Sequence, residues 1–305
     1  MADGILLLDK QPGETSTGCV EKVRKLFGKK WKAGHGGTLD SPASGLLVIL
    51  VGTATRLCPF VQALPKVYEV AAQLGGTSDT DDASGHVLEN PPAVFPSAET
   101  FDRELLEFLG LRMQVPPAVS AIHVSGKRAH RLARSGENPK LLPRPVTITS
   151  FSDVSGPDSR GRVRFRVMCH KGTYVRSLVR DLGIRLGCGA YVVSLRRISI
   201  GSFRIEEADP VSCLFRLGED AARERLRDVD ALLDHFVAYR VPQELEGDIR
   251  NGKPVPSSCL HRIHWGLIPE SGHVVLRTKN LASLALWEQP SHYRPDIVLS
   301  LEDRG

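Results

Sequence analysis

Gly34-His35-Gly36-Gly37-Thr38-Leu39-Asp40 is followed by the small-residue patch Ser41-Pro42-Ala43-Ser44-Gly45 and the unbroken apolar run Leu46–Val51. Six apolar residues between Gly45 and Gly52 suit a buried strand and are too few to span a membrane. The glycines ahead of the strand let a ligand or a second backbone come close, so the loop should present Asp40 at the mouth of a cleft. Alone, an aspartate in this position also fits a turn or a helix cap. The rest of the chain decides between these readings.

The 305 residues are enough for a well-buried core, one large domain and a small one. Hydrophobic content of 41% and charged content of 25% place the chain among ordinary globular proteins. No apolar segment has the length of a membrane span, and Met1-Ala2-Asp3-Gly4 does not begin a secretion signal. The cysteines, Cys19, Cys58, Cys169, Cys188, Cys213 and Cys259, are scattered and form no C-x-x-C pair. They are expected to be reduced thiols of a cytoplasmic protein, with neither a disulfide frame nor a zinc ribbon.

Net charge is only +5, but Arg160 to Arg197 holds ten Arg or Lys against one acid, Asp181. That segment carries +9, leaving −4 for the remainder. A smaller basic block holds Lys22, Arg24, Lys25, Lys29, Lys30 and Lys32. Positive charge concentrated on an otherwise acidic chain is the footprint of a nucleic-acid face.

The chain opens with a short strand, Ile5-Leu6-Leu7-Leu8, and a Pro12-Gly13 turn. A helix is predicted from Thr17 to Phe27, with Val20, Val23 and Phe27 on one face and Gly28 as its cap. Val67 to Leu74 should be a strand, Asp79-Thr80-Asp81-Asp82 an acidic turn, and Ser97 to Leu109 a helix. From about 114 to 145 the prolines, glycines and basic residues suggest a protruding arm with one short helix. In Arg162 to Cys169, Arg162, Arg164 and Arg166 alternate with Val163, Phe165 and Val167, predicting a half-buried strand with a row of guanidinium groups expected to meet RNA. A helix from Tyr174, a strand from Ala190 to Ile198 and a helix from Glu219 to Phe236 complete residues 1–236. Residues 237–305 should form a small β-rich module. Strands and helices intermix without regular β-α-β alternation, so the expected fold is α+β: a mixed, largely antiparallel central sheet with flanking helices.

Four motifs carry a resemblance. The first is Gly34 to Asp40 with Ala43, Gly45 and Leu46; the second is Lys66-Val67-Tyr68-Glu69-Val70 with Leu74-Gly75, Thr77, Asp79-Thr80 and Asp82. The third is Gln114-Val115-Pro116-Pro117 with Ser120-Ala121, Gly126-Lys127-Arg128 and Ala133-Arg134. The fourth runs from Lys171-Gly172-Thr173-Tyr174-Val175-Arg176 through Asp181-Leu182-Gly183 and Gly187-Cys188-Gly189-Ala190 to Leu195-Arg196-Arg197. In this order they resemble the TruB family of tRNA pseudouridine synthases over roughly residues 5 to 205. The C-terminal module is similar, more weakly, to the family's small RNA-binding PUA-type domain, through Asn251-Gly252 and Tyr293-Arg294-Pro295.

The resemblance implies the pseudouridine synthase fold and isomerisation of uridine 55 in the T-loop of tRNA, after the base is flipped out, with no cofactor and no metal. It implies Asp40 as the catalytic aspartate, Tyr68 as a tyrosine stacking on the base, and Arg176 as the partner of the aspartate. It further implies that His35, Tyr174 and Leu195, and more weakly Lys10, meet the substrate or support the loop. Lys127, Arg128, Arg131 and Arg134 would grip RNA phosphates. The implied partner is tRNA, the protein acting as a monomer without a protein partner or membrane. The chain departs from the pattern at Ser41, which separates Asp40 from Pro42, and at Val119 and His130, where bacterial members usually carry an aromatic. Two other classes remain open here. One is a metal-dependent hydrolase gathering His35, Asp40, Asp79, Asp81 and Asp82 around a cation. The other is a non-catalytic RNA-binding or tRNA-folding protein on a synthase scaffold.

Overall fold

The run Leu46–Val51 is wholly buried because both faces of its strand are covered. In the computed structural model, which describes residues 4–28, 30–120, 123–124, 127–128 and 141–301, this run lies within strand β3 (Ser44–Val51) of a ten-stranded sheet. The other strands are β1 (Gly4–Lys10), β2 (Ala33–His35), β4 (Lys66–Leu74), β5 (Gly110–Gln114), β6 (Arg144–Ser155), β7 (Arg162–Cys169), β8 (Ala190–Ile200), β9 (Phe203–Arg204) and β10 (Asp209–Pro210). They run β10-β1-β3-β8-β4-β7-β6-β5, with β2 paired to β3 and β9 to β8. Only β1–β10 and β3–β8 are parallel. The sheet is therefore mixed and largely antiparallel, as the intermixed pattern predicts.

Alternate residues of β1 and β3 enter different cores. Leu6, Leu8, Leu47, Ile49 and Val51 pack with Cys19, Val20 and Val23 of helix α1 (Ser16–Leu26). Ile5, Leu7, Leu46, Val48 and Leu50 enter a cluster that also holds Phe60, Phe236, Val275, Ala282 and Leu284. The last three belong to a second, six-stranded sheet: β11 (Ala238–Arg240), β12 (Val255–Pro256), β13 (His261–His264), β14 (Val274–Arg277), β15 (Leu281–Glu288) and β16 (His292–Ser300), ordered β12-β16-β15-β14-β11-β13. This sheet covers the main sheet, and one apolar core runs through both. A strand covered on two sides reads as a continuous apolar run rather than an alternation; each such side chain contributes about 1.5–3 kcal/mol.

The other half of the main sheet is covered on one face only. Helices α3 (Ala98–Leu106) and α4 (Val175–Arg185) pack Phe101, Leu105, Leu178 and Leu182 against Val70, Ala72, Phe165 and Val167. The short helix α2 (Cys58–Ala63) follows β3.

One expectation is corrected and one gains a direction. The helix predicted from Glu219 to Phe236 is two short ones, Glu219–Glu224 and Asp230–Leu233. Between them the backbone leaves the helical path to pair with β1, Ile5 N donating to Arg227 O at 2.9 Å and Arg227 N to Ile5 O at 2.8 Å. The arginine row does share one face, but Arg166 opposes Glu69 whereas Val167 opposes Tyr68. Residues directly opposite share a face, so the arginines lie on the side of the sheet away from Tyr68. Arg162 pairs with Asp158, and Arg166 with Glu69 and Asp153.

Candidate active site

The Asp40 loop spans β2 to β3 and is fixed through its backbone. Ser16 Oγ, in the first turn of α1, donates to Leu39 O at 3.0 Å and accepts from Leu39 N at 2.8 Å. Gly13 N reaches Ser41 O at 2.8 Å, and the fully buried Lys10 ammonium donates to Ala43 O at 2.6 Å and Ser41 O at 3.2 Å. From the other side Arg197, also fully buried, donates from Nε to Leu46 O at 2.8 Å and from Nη2 to Gly37 O at 3.0 Å. Two glycines are required by close approach: a Cβ on Gly36 would lie 2.1 Å from Val61 Cγ1, and one on Gly45, at φ 104°, 2.2 Å from Arg197 O.

The result is an Asp40 whose backbone is clamped while its side chain stays 39% exposed. Arg176, in the first turn of α4, brings Nη2 to 2.7 Å from Asp40 Oδ2, with its own side chain only 5% exposed. Both terminal nitrogens have further partners, Nη1 donating to Thr80 O at 2.8 Å and Nη2 to Val119 O at 3.0 Å, while the buried Nε has no hydrogen-bond partner among the described residues. Asp82 Oδ2 stands 3.6 Å from Nη1. The fork is thus aimed by backbone carbonyls and a second carboxylate.

Asp40 and Arg176 line a cleft of about 360 Å³ together with Tyr68, Tyr174, Leu195, Lys66 and Arg197. Tyr68 shares its face of β4 with Lys66, and Arg197 opposes it across the β4–β8 pairing. Burial pushes the Tyr68 hydroxyl above its usual range, opposed by the charge of Arg197. Tyr174 is pushed the same way, by burial first and then by the charge of Asp40. Both phenols therefore stay protonated at neutral pH. Tyr174 is held through its backbone, N to Gln114 Oε1 at 2.8 Å and O to Gln114 Nε2 at 3.1 Å. Lys66 is pushed down to about 7 by burial and then by the Arg197 charge; its ammonium donates to Leu64 O at 2.6 Å and to Gln62 O.

Not every expected residue reaches the cleft. His35 lies at the end of β2, where its Nδ1 accepts from Gly37 N at 3.3 Å; burial lowers its pKa, and it does not line the cleft. Lys10 sits behind the loop, under the motif, and does not line the cleft. Of the arm residues, Lys127 and Arg128 form a strand paired with His123–Val124, while Arg131 and Arg134 lie outside the described residues. The acidic turn is internally engaged: Asp81 pairs with Arg180, Asp82 accepts from Thr80 and Ser84, and Asp79 from His86 N. Among the described residues these carboxylates and His35 form no common donor cluster.

Residues 24–175 match the model of the TruB family pseudouridylate synthase N-terminal domain, and residues 176–235 that of the tRNA pseudouridylate synthase B C-terminal domain. A tRNA pseudouridine synthase B of Synechococcus sp. (strain WH7803) is 43% identical over 308 residues, 99% of this chain and 98% of that protein. The chain belongs to the TruB family. A second member, tRNA pseudouridine synthase B of Thermobifida fusca (strain YX), is 44% identical over 214 residues, 68% of this chain and 73% of its own. Among solved structures, a Cbf5-Nop10-Gar1 complex contains a chain that superposes with a TM-score of 0.72 at 24% identity, covering 98% of this chain and 84% of that one. An H/ACA RNP bound to a substrate RNA containing 2'-deoxyuridine gives 0.72 at 22% identity, with 99% and 86% covered. Both likenesses show the fold.

Within the TruB frame, two site residues escaped the sequence reading. Arg197 and Lys66 were visible only as motif members. The signal available for both was spacing: each falls two residues from a cleft residue on the same strand, Lys66 from Tyr68 and Arg197 from Leu195.

Proposed function

We propose that the protein isomerises uridine 55 in the T-loop of tRNA to pseudouridine, with Asp40 as its catalytic carboxylate. The observation that carries this reading is the Asp40 side chain, open to the cleft and held by Arg176 at 2.7 Å, with Tyr68 in the same wall. The names of the TruB relatives support the substrate. The base must leave its stack to reach the cleft, which costs roughly a few kcal/mol. Tyr68 gives the extruded base a π-face, and Tyr174 and Leu195 close the cleft around it. In the isomerisation the C1′–N1 bond breaks and a C1′–C5 bond forms, while C5 loses a proton and N1 gains one. The uracil that leaves C1′ is the group that rejoins it, so no oxidant, reductant or co-substrate is needed, and a carboxylate can serve as nucleophile or base without a cofactor.

Arg176 orients Asp40 by a charge-assisted hydrogen bond. His35 and Lys10 act through the loop, His35 by fixing the Gly37 turn and Lys10 by holding its carbonyls. Lys127, Arg128, Arg131 and Arg134 supply phosphate contacts, which position the RNA more than they specify it. We further read the protein as a cytoplasmic monomer working on free tRNA, a compartment in keeping with its six free thiols.

The test is to incubate the purified protein with an unmodified tRNA transcript, without added metal or cofactor, and map pseudouridine by sequencing. Stoichiometric conversion at position 55 is expected. A protein that binds the transcript yet converts no uridine would return the reading to a non-catalytic RNA-binding protein.

A further inference from the structure

Arg180 lies one turn beyond Arg176 on α4, and the two side chains reach the same two segments. From Arg180, Nη1 donates to Asp81 Oδ2 at 2.9 Å and Nη2 to Val115 O at 2.9 Å, while Nε turns back to Asp181 Oδ1 at 2.9 Å. From Arg176, Nη1 reaches Thr80 O and Nη2 reaches Val119 O. The acidic turn is thus gripped at Thr80 and at Asp81. Residues 114–120, the root of the arm, are gripped at Val115 and at Val119. A third tie, from Gln114 to the backbone of Tyr174, fastens the same root to the start of α4. Arg180 itself does not line the cleft, and its side chain is 24% exposed.

We infer that Arg180 is a positioning residue for the isomerisation: by holding the acidic turn and the root of the arm on α4, it keeps the Arg176 fork aimed at Asp40. The inference rests on the isomerase reading of the cleft. Charge supplies the first support. Asp81 is buried, and burial pushes its carboxyl above the usual range, opposed first by the charge of Arg180 and next by that of Arg176. A carboxylate withdrawn from water demands a cation. Without Arg180, Arg176 is the next cation to answer that demand, and its fork gains a competitor for Asp40. Geometry supplies the second support. Val119 O, which receives Nη2 of Arg176, lies four residues beyond the carbonyl that Arg180 holds, and Pro116 and Pro117 stiffen the stretch between them. Fixing Val115 therefore fixes Val119. The planar fork of an arginine serves the turn and the root at once, which a lysine ammonium on one flexible stem does less well.

The experiment measures kcat and KM on an unmodified tRNA transcript for Arg180→Gln, Arg180→Lys and a control, Arg185→Gln. Arg185 lies on the same helix and is paired with Glu104, away from both the turn and the root. For Arg180→Gln, kcat should fall about 10- to 100-fold, the loss expected when a group is misplaced by up to about 1 Å, with KM within about twofold. Arg180→Lys should recover part of this loss, and Arg185→Gln should leave kcat unchanged. In a double-mutant cycle with Arg176→Lys the two losses should not multiply, because both act through one fork. Hydrogen exchange reads the frame without turnover: peptides covering residues 77–84 and 111–120 should exchange about threefold or more faster in Arg180→Gln and not in Arg185→Gln. Should Arg180→Gln not fold, Arg180→Lys carries the same test at about threefold in kcat. A protein that forms no pseudouridine refutes the isomerase reading, yet its exchange still tests the frame. The inference is overturned if Arg180→Gln costs no more kcat than Arg185→Gln, if only KM rises, if the Arg176→Lys and Arg180→Gln losses multiply, or if exchange in both segments is unchanged.

Discussion

The two halves of the main sheet bury their strands in different ways. β1 and β3 are sealed on both faces, by α1 on one side and the second sheet on the other. β4 and β7 are sealed only under α3 and α4, and their other face carries Arg162, Arg164 and Arg166. The site lies at the seam. Asp40 is delivered by the loop entering the sealed half, whereas Tyr68 and Arg176 come from the half with one bare face. The contrast teaches that the sealed half holds Asp40 by its backbone, and the other half brings side chains that line the cleft around it.

The comparison breaks first at Asp40. Asp40→Asn should reduce pseudouridine formation by at least about 10³-fold, while the Kd for tRNA changes by less than about threefold because phosphate contacts elsewhere supply most affinity. Single-turnover assays and filter binding check both numbers. Near-native turnover would remove the carboxylate from the chemistry.

In the sealed half, Leu47→Ala should lower stability by about 2–5 kcal/mol, since a cavity opens in a strand with no free face to relax toward. Urea denaturation reads this as a lower midpoint at unchanged slope. A loss below about 1 kcal/mol would mean that the two faces are not equally sealed.

Arg176→Lys keeps the charge but loses the planar fork that reaches Asp40, Thr80 and Val119 together. About tenfold or more should be lost from kcat, with KM little changed. A KM effect alone would show that Arg176 serves the RNA and not Asp40.

The smallest effect belongs to the bare face. Replacing Arg162, Arg164 and Arg166 together by Gln should leave the salt dependence of tRNA binding within about one unit of slope and stability within about 0.5 kcal/mol. A slope flattened by about three units would place RNA on that face.

Much of this was legible in the sequence, for identifiable reasons. Leu46–Val51 announced a buried strand because it is apolar at every position, and the motifs around Asp40, Tyr68 and Arg176 pointed to one site. The direction of the arginine row was not legible: alternation shows that the three share a face, but only the register of Arg166 against Glu69 says which. Arg197 and Lys66 look like surface cations until their donors are seen to end on the carbonyls of Gly37, Leu46 and Leu64. The helix predicted over Glu219 to Phe236 failed because its periodicity carries no trace of the pairing between Arg227 and Ile5, more than two hundred residues apart.

The second sheet's cover over β3 has a consequence for the order of events in the living chain. Leu46, Val48 and Leu50 share one apolar core with Val275, Ala282 and Leu284, which are synthesised more than two hundred residues later. At about 5–20 residues per second, the growing polypeptide presents that apolar stripe for roughly ten seconds to a minute before its lid exists. Such long-range closure makes for slow folding, and the nascent protein depends through that interval on whatever shields exposed apolar surface at the ribosome.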